Sequence, residues 1–258
     1  MKTTSMQAND YIKCVTNLER DQLMAEYELY VTINANCYDL FSKTDGSATQ
    51  NLYSFHISPY RYVQMLSHAG VERWLVRFGC LPEAPNGEND PRFCLILTGI
   101  DSLGSVITPN YQLLKCYFNE SALEPGDSGQ SAHVVGVSLK QQWTQSWQNL
   151  MTATTVPPHI LANMYGIIKG YNFQQSDFLL AADSLDGIEN EMIEFRIVNH
   201  ASVVSPAETQ PNHTGTIGLM VAHVIPSSQG GYEFEQQSFY YDISSPCPPT
   251  CPDPPGGN

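Results

Sequence analysis

Charge is what this sequence has least of. Only 15% of its residues are Asp, Glu, Lys or Arg, against roughly a quarter in an average soluble domain, so its surface must be polar chiefly through hydroxyl and amide groups. Basic residues are the scarcer sign: 12 Lys and Arg stand against 26 Asp and Glu, a formal charge of -14. That balance repels phosphate backbones and anionic lipid, which argues against nucleic-acid binding by counterion release and against an acidic membrane surface as partner. No stretch approaches the roughly 20 apolar residues of a membrane span. The opening "MKTTSMQANDYIKC" has no apolar run ahead of its polar residues, so no signal peptide is read there. The expectation is a cytoplasmic protein without a nucleic-acid or membrane partner.

Familiar chemical motifs are missing as well. There is no glycine-rich phosphate loop, no GxSxG elbow and no dinucleotide fingerprint. The seven histidines, at 56, 68, 133, 159, 200, 213 and 223, include no pair at i, i+4 and none beside a cysteine; His200 and His223 could meet only on neighbouring strands. The cysteines are odd in number, at 14, 37, 80, 94, 116, 247 and 251. Five sit in apolar surroundings, as Cys94 does in "RFCLIL", where a reduced thiol behaves as a small hydrophobe. This usage fits a reducing compartment and no disulfide framework. No residue is assigned a catalytic, cofactor-binding or metal-binding role, and no cofactor is expected.

Two local patterns imitate known sites. "PGDSGQS", residues 125 to 131, contains the GDSG of the chymotrypsin-like nucleophile loop, and His56, Asp101 and Ser128 follow in that family's order. The context "SFHISP" is wrong for its histidine, the 27 residues from Asp101 to Ser128 leave too little room for a second barrel, and helical periodicity contradicts an all-β protein. Pro-Gly-Asp-Ser-Gly is turn chemistry. "DSLDGIENEMIE" suggests a calcium loop, but counting from Asp183 puts Asp at positions 1 and 4 and Gly at 5, where an EF-hand needs ligands at 1, 3 and 5 and Gly at 6.

What is present is an approximate internal duplication. In the first half "SFHISPYRYVQMLSHAG" leads to the alternating "VERWLVRFG", a polar loop "LPEAPNGENDP" and the apolar "RFCLILTGID". In the second, "SDFLLAADSLDGIEN" leads to "EMIEFRIVNH", the loop "ASVVSPAETQPNHTG" and "TIGLMVAHVI". Trp74 matches Phe195 and Val76 matches Ile197, both at a separation of 121. Each unit is preceded by a helix. "SLKQQWTQSWQNLM" sets Leu139, Trp143, Trp147, Leu150 and Met151 on one face, and "NDYIKCVTNLERDQLMAEY" opens on Asn9 or Asp10 as N-cap and turns Ile12, Val15 and Leu18 or Leu23 inward. The fold class is therefore α+β: two approximately duplicated units, each with an N-terminal helix, a short helix and antiparallel strands, sharing one core or packed closely. The boundaries are 1–124 for the first unit, 125–136 for the loop between units, 137–245 for the second unit and 246–258 for a Pro-rich tail. The near-continuous apolar strands "RFCLILTGID" and "TIGLMVAHVI" call for cover on both faces.

The Trp-bearing helix, the strand end "LTGIDSLG" and the closing "YYDISSPCPPTC" together resemble a family of uncharacterised small proteins of Bacteroidota-type bacteria, marked by a GvD-x-x-G strand end and a C-terminal PCPP-x-C. Gly99, Ile100 and Asp101 match the first element and Pro246 to Cys251 the second, while "AHVIPSSQG" departs from it. The resemblance implies no activity, substrate or cofactor. Cys247 and Cys251 lie in the final proline-rich run, which reads as an extended tail following "FYYDIS" as the last strand; a local disulfide and a metal site with distant ligands are the alternatives.

For function, the residues lean away from an enzyme. Fourteen tyrosines and little charge suit a non-enzymatic interaction or structural/assembly protein that meets a protein partner or itself. The alternative is an enzyme or small-ligand receptor with a cleft between the units, drawing on Asp101, His56, Arg73 or Arg77.

Overall fold

The structure, a computed structural model, describes residues 12–45, 48–82, 91–118, 137–183, 185, 187, 190–200, 215–226, 232–234 and 245–247. In chain order the elements are β1 (Ile12–Val15), α1 (Asn17–Ile33), a 3-10 turn (Tyr38–Leu40), β2 (Ser42–Asp45), β3 (Ala48–Asn51), β4 (Ser54–Ile57), α2 (Pro59–Leu66), β5 (Arg73–Cys80), β6 (Phe93–Ile100), β7 (Asn110–Leu113) and β8 (Lys115–Tyr117). There follow α3 (Val137–Thr152), a second 3-10 turn (Pro158–Leu161), β9 (Ala162–Asn163), β10 (Gly166–Ile167), β11 (Gly170–Gln174), α4 (Gln175–Asp183), β12 (Met192–Asn199), β13 (Ile217–Pro226), β14 (Tyr232–Phe234) and β15 (Ser245–Cys247).

Thr16 sets the start of α1. Its hydroxyl accepts from the Glu19 N–H at 3.2 Å while the Glu19 carboxylate accepts from the Thr16 N–H at 2.8 Å, a reciprocal box that satisfies two donors a helix end otherwise leaves open. The helix expected from Asn9 or Asp10 is thereby corrected. Ile12 and Val15, β-branched residues suited to a pleated edge, form β1 instead, and Leu18 points outward at 68% exposure. Asn9 and Asp10 lie outside the described residues.

The fold is α+β with antiparallel sheets, as the periodicities require. One sheet runs β1-β7-β6-β5-β11-β15 and the other β14-β13-β12-β4-β8, with two small hairpins, β2-β3 and β9-β10, beside them. Each sheet takes strands from both 1–124 and 137–245: β11 lies beside β5, and β4 beside β12. The runs β7-β6-β5-β11-β15 and β14-β13-β12-β4-β8 correspond strand for strand at a constant difference of seven.

Period-two alternation decides the layers. Trp74, Val76, Phe78, Phe93, Leu95 and Leu97 of the first sheet and Phe55, Ile57, Ile193, Phe195, Ile197 and Leu219 of the second enter one shared core. Phe55 and Phe93, from opposite sheets, sit with ring centroids 6.2 Å apart. On the outer face of the first sheet Cys94 and Ile96 pack with Val15 and Leu23 beneath α1. β6 is buried along its whole length and β13 from Ile217 to Val224, the double cover that their apolar runs call for.

The short helices α2 and α4 meet through aromatic rings. Tyr62 stacks on Phe178 at 5.8 Å and its hydroxyl donates to the Phe178 carbonyl at 3.0 Å. Trp74 of β5 stacks on Phe178 at 5.7 Å, and Phe195 of β12 meets Tyr62 at 6.5 Å. Gly170 allows the two halves of the first sheet to join: it has a φ of +144°, and a Cβ there would strike the Val76 carbonyl oxygen. Opposite it on the other edge stands Cys247, because β15 pairs with β11 from Asn172↔Ser245 to Gly170↔Cys247. The chain thus remains in the sheet two residues into the stretch expected to be tail. Cys251 and residues 239–244 lie outside the described residues.

Candidate functional site

The outer face of each sheet, beneath its long helix, buries charge. In the second sheet the residues of β12 that alternate with the core set are Glu194 and Arg196, two apart and so on one face. Arg196 donates to Glu194 from Nε at 3.2 Å and from Nη2 at 3.3 Å. Antiparallel register brings β4 alongside, with His56 opposite Glu194 and Ser54 opposite Arg196. His56 Nε2 lies 3.5 Å from Glu194 Oε1 and 3.2 Å from Ser54 Oγ. Burial alone would raise the Glu194 carboxyl; the Arg196 guanidinium, followed by His56 and Ser54, outweighs it and holds the group at about 2. Lys140, on the inner side of α3, completes the cluster. Burial and the Arg196 charge pull its ammonium down to about 8 against the opposing pull of Glu194.

α3 seats itself by the tryptophans expected to face inward. Trp147 donates from Nε1 to the Leu52 carbonyl at 3.2 Å and meets Phe41 at 4.9 Å, while Trp143 lies against His200 at 4.6 Å. Met151 is buried and Leu150 packs at the core margin.

In the first sheet the corresponding face carries Arg77 of β5 and Arg20 from the first turn of α1, each only 3% exposed. Arg20 is held by Asp21 at 2.7 Å and by Asn110 Oδ1 and Asn17 Oδ1 at 3.3 Å. Asn110 also accepts from the Thr98 hydroxyl at 2.8 Å. Further along α1 an open groove of about 860 Å³ lies between the helix and β1 and β7, with Val15, Leu23, Leu81 and Leu114 among its apolar lining and Lys13 and Glu19 among its charged lining.

The four residues named for a cleft between units are not gathered into one concavity. His56 belongs to the buried cluster of the second sheet and Arg77 to the outer face of the first. Arg73 begins β5 opposite Ile100. Asp101, next to it in the chain, shapes a turn by accepting from the N–H groups of Leu103 at 2.9 Å and Ser105 at 2.8 Å. Ser128 and the whole GDSG segment lie outside the described residues, as do Asp186, His133 and His213. Asp183 ends α4. His200 and His223 stand at opposite ends of the β12-β13 hairpin: His200 follows β12 beside Thr216, whereas His223 pairs with Ile193 and lies 3.0 Å from Glu191. Among the described residues no group of three or more His, Cys, Asp or Glu could hold a metal ion. No described helix is long and apolar enough to cross a membrane.

Of the five cysteines expected in apolar surroundings, Cys37, Cys80 and Cys94 are buried and Cys116 is half-buried, but Cys14 is exposed on β1. Burial pushes the Cys37 thiol up to about 11 and Cys94 higher still, the reverse of nucleophile activation.

The charged clusters are what motif-based reading passes over. Their signal in the sequence is local and weak: Glu194 and Arg196 share one face of an otherwise apolar strand, and Arg77 interrupts another. Nothing in the sequence says that α1 and α3 bring Arg20 and Lys140 down on these positions. Compared with known protein families, with curated proteins and with solved structures, the chain shows no match.

Proposed function

We propose that this is a non-enzymatic interaction or assembly protein of the cytoplasm, and that its contact surface is the α2-α4 face, occupied by a second copy of the chain. The observation that carries the reading is the exposure of four large apolar side chains on two adjoining helices: Tyr60 72%, Val63 51%, Leu179 50% and Leu180 41%. Apolar groups concentrated on one face mark contact surfaces. Meanwhile the reactive-looking groups, His56, Glu194, Arg196 and Lys140, are sealed in the second sheet's outer layer.

Charge favours a second copy as occupant. The chain as a whole carries -14, so two copies repel across most orientations. Along α2 and α4 the only basic side chain is Arg61, and the exposed acidic one is Asp183. This neutral face is where two copies approach with least repulsion, and a two-fold contact sets α2 of each against α4 of the other.

The same reading includes an internal duplication. Its support is the strand-for-strand correspondence of the two sheets and the reciprocal packing of Trp74 on Phe178 and Phe195 on Tyr62, which agrees with the separation of 121 between Trp74 and Phe195. In this view the strand before each short helix has been exchanged between the halves.

Light scattering during gel filtration tests the proposal. The wild-type chain is expected as a dimer, and Val63→Asp combined with Leu179→Asp as a monomer with an unchanged melting temperature. A wild-type chain that stays monomeric at the highest concentration reached would remove this reading.

A further inference from the structure

The two buried charge clusters differ in one respect that points to a ligand. In the second sheet Arg196 and Lys140 have Glu194 between them, supplied by the same strand two residues earlier. In the first sheet the residue two before Arg77 is Leu75. Opposite Arg77 on β11 stands Gly170, and opposite Leu75 stands Asn172, whereas β4 sets Ser54 opposite Arg196 and His56 opposite Glu194. The neighbours of Arg77 at these places are thus an isobutyl group, an amide and a glycine, where those of Arg196 are a carboxylate, an imidazole and a hydroxyl.

Among the described residues Arg77 has only the charge of Asp21, itself paired with Arg20, to offset its own. Its Nη1 is fully buried and has no hydrogen-bond partner, and the Asn172 side-chain oxygen, also buried, has none. Among the described residues no ion pair reaches Arg77; Asp21, the nearby carboxylate, is bound to Arg20. Burial, reinforced by the Arg20 charge, pulls the Arg77 guanidinium down to about 10, so it remains a cation at neutral pH. A cation removed from water without an anion is costly, and a buried donor without an acceptor calls for a missing ion or water.

We propose that the outer face of the first sheet, beneath α1, binds a small oxyanion between Arg77, Arg20 and Asn172. Guanidinium groups present paired N–H donors suited to phosphate, sulfate or carboxylate, and the Asn172 amide can turn its NH₂ toward such a ligand. Arg77 lies in a row that crosses the sheet as Lys13, Gln112, Ile96, Arg77 and Gly170. The groove beside α1 is lined by Lys13 and Gln112, at the far end of that row.

The test uses the full chain, with inorganic phosphate, sulfate and acetate compared against chloride at equal ionic strength. Wild type is expected to gain melting temperature in at least one of the three, and the pattern separates a phosphate-type ligand from a carboxylate. Isothermal titration should give a saturable heat for that anion, weakened about ten- to a hundredfold in Arg77→Met, the loss expected for one charged hydrogen-bond donor. In chloride Arg77→Met should melt no lower than wild type, because the substitution removes a buried charge that no ion pair among the described residues neutralises. A wild-type chain indifferent to all three anions overturns the proposal, and so does an Arg77→Met chain that keeps the wild-type response. Should Arg77→Met fail to fold, Asn172→Leu takes its place, with the same weakening expected and an unchanged affinity counting against the site.

Discussion

Replacing Glu194 by Gln isolates the energetics of the buried cluster in the second sheet. The substitution keeps the shape of the side chain and removes its charge, leaving Arg196 and Lys140 buried without their shared anion. Two routes give the magnitude. Removing one partner of a buried ion pair costs about 3–5 kcal/mol. Independently, the carboxyl sits at about 2 in the fold against an ordinary 4.5, and at roughly 1.36 kcal/mol for each pH unit that separation is worth about 3 kcal/mol. In a chain of this size the loss lowers the melting temperature by about 6–12 °C.

The pH dependence follows from the direction of the perturbation. A carboxyl held below its unfolded value stabilises the fold fully above pH 4.5 and loses that contribution as pH falls toward 2. At pH 3 less than half of it should remain. Wild type and Glu194→Gln are therefore compared by thermal circular dichroism at pH 7, 5 and 3 and at one scan rate. The quantity read is the difference between the two proteins, since the other carboxylates titrate in both. A gap near its maximum at pH 7 and 5 that falls by more than half at pH 3 is expected. A variant within about 1 kcal/mol of wild type at pH 7 would refute the reasoning, as would a gap of constant size from pH 7 to pH 3.

Two further outcomes follow from the fold. Gly170→Ala should lower the urea midpoint by the equivalent of about 2–3 kcal/mol, because the new Cβ meets β5 backbone at a positive φ; Gly166→Ala, with a positive φ but open space around it, should cost clearly less, and equal effects would contradict the close approach of β11 to β5. Alkylation of the native protein followed by peptide mapping should label Cys14 and spare Cys37, Cys80 and Cys94 until the chain unfolds; labelling of Cys94 at the rate of Cys14 would show that its burial is misjudged.

Several elements are legible in the residues alone. The tryptophans of α3 recur at helical spacing, so their burial follows from the 3.6-residue period. The apolar runs of β6 and β13 demand two covered faces, and they have them. The start of α1 is less legible, since Ile12, Val15 and Leu18 can be placed on one helical face; the Thr16 to Glu19 box ends that option by capping a new helix at Asn17. The exposure of Cys14 is hidden for the same reason, because an apolar neighbourhood in sequence does not say which side of an edge strand faces water.

The sequence by itself determined the α+β class, the short-range alternation of each strand and the sparsely charged, net acidic, amide-rich composition, because these depend on composition and on contacts a few residues apart. Only the tertiary structure decided which strands share a sheet. That choice sets β11 beside β5 and β4 beside β12, so it places His56 against Glu194 and leaves Arg77 facing glycine. The physical reason is that a charge is stabilised or left uncompensated by neighbours within a few ångströms, and here those neighbours come from strands far apart in the chain: His56 and Glu194 owe their contact to sheet register alone.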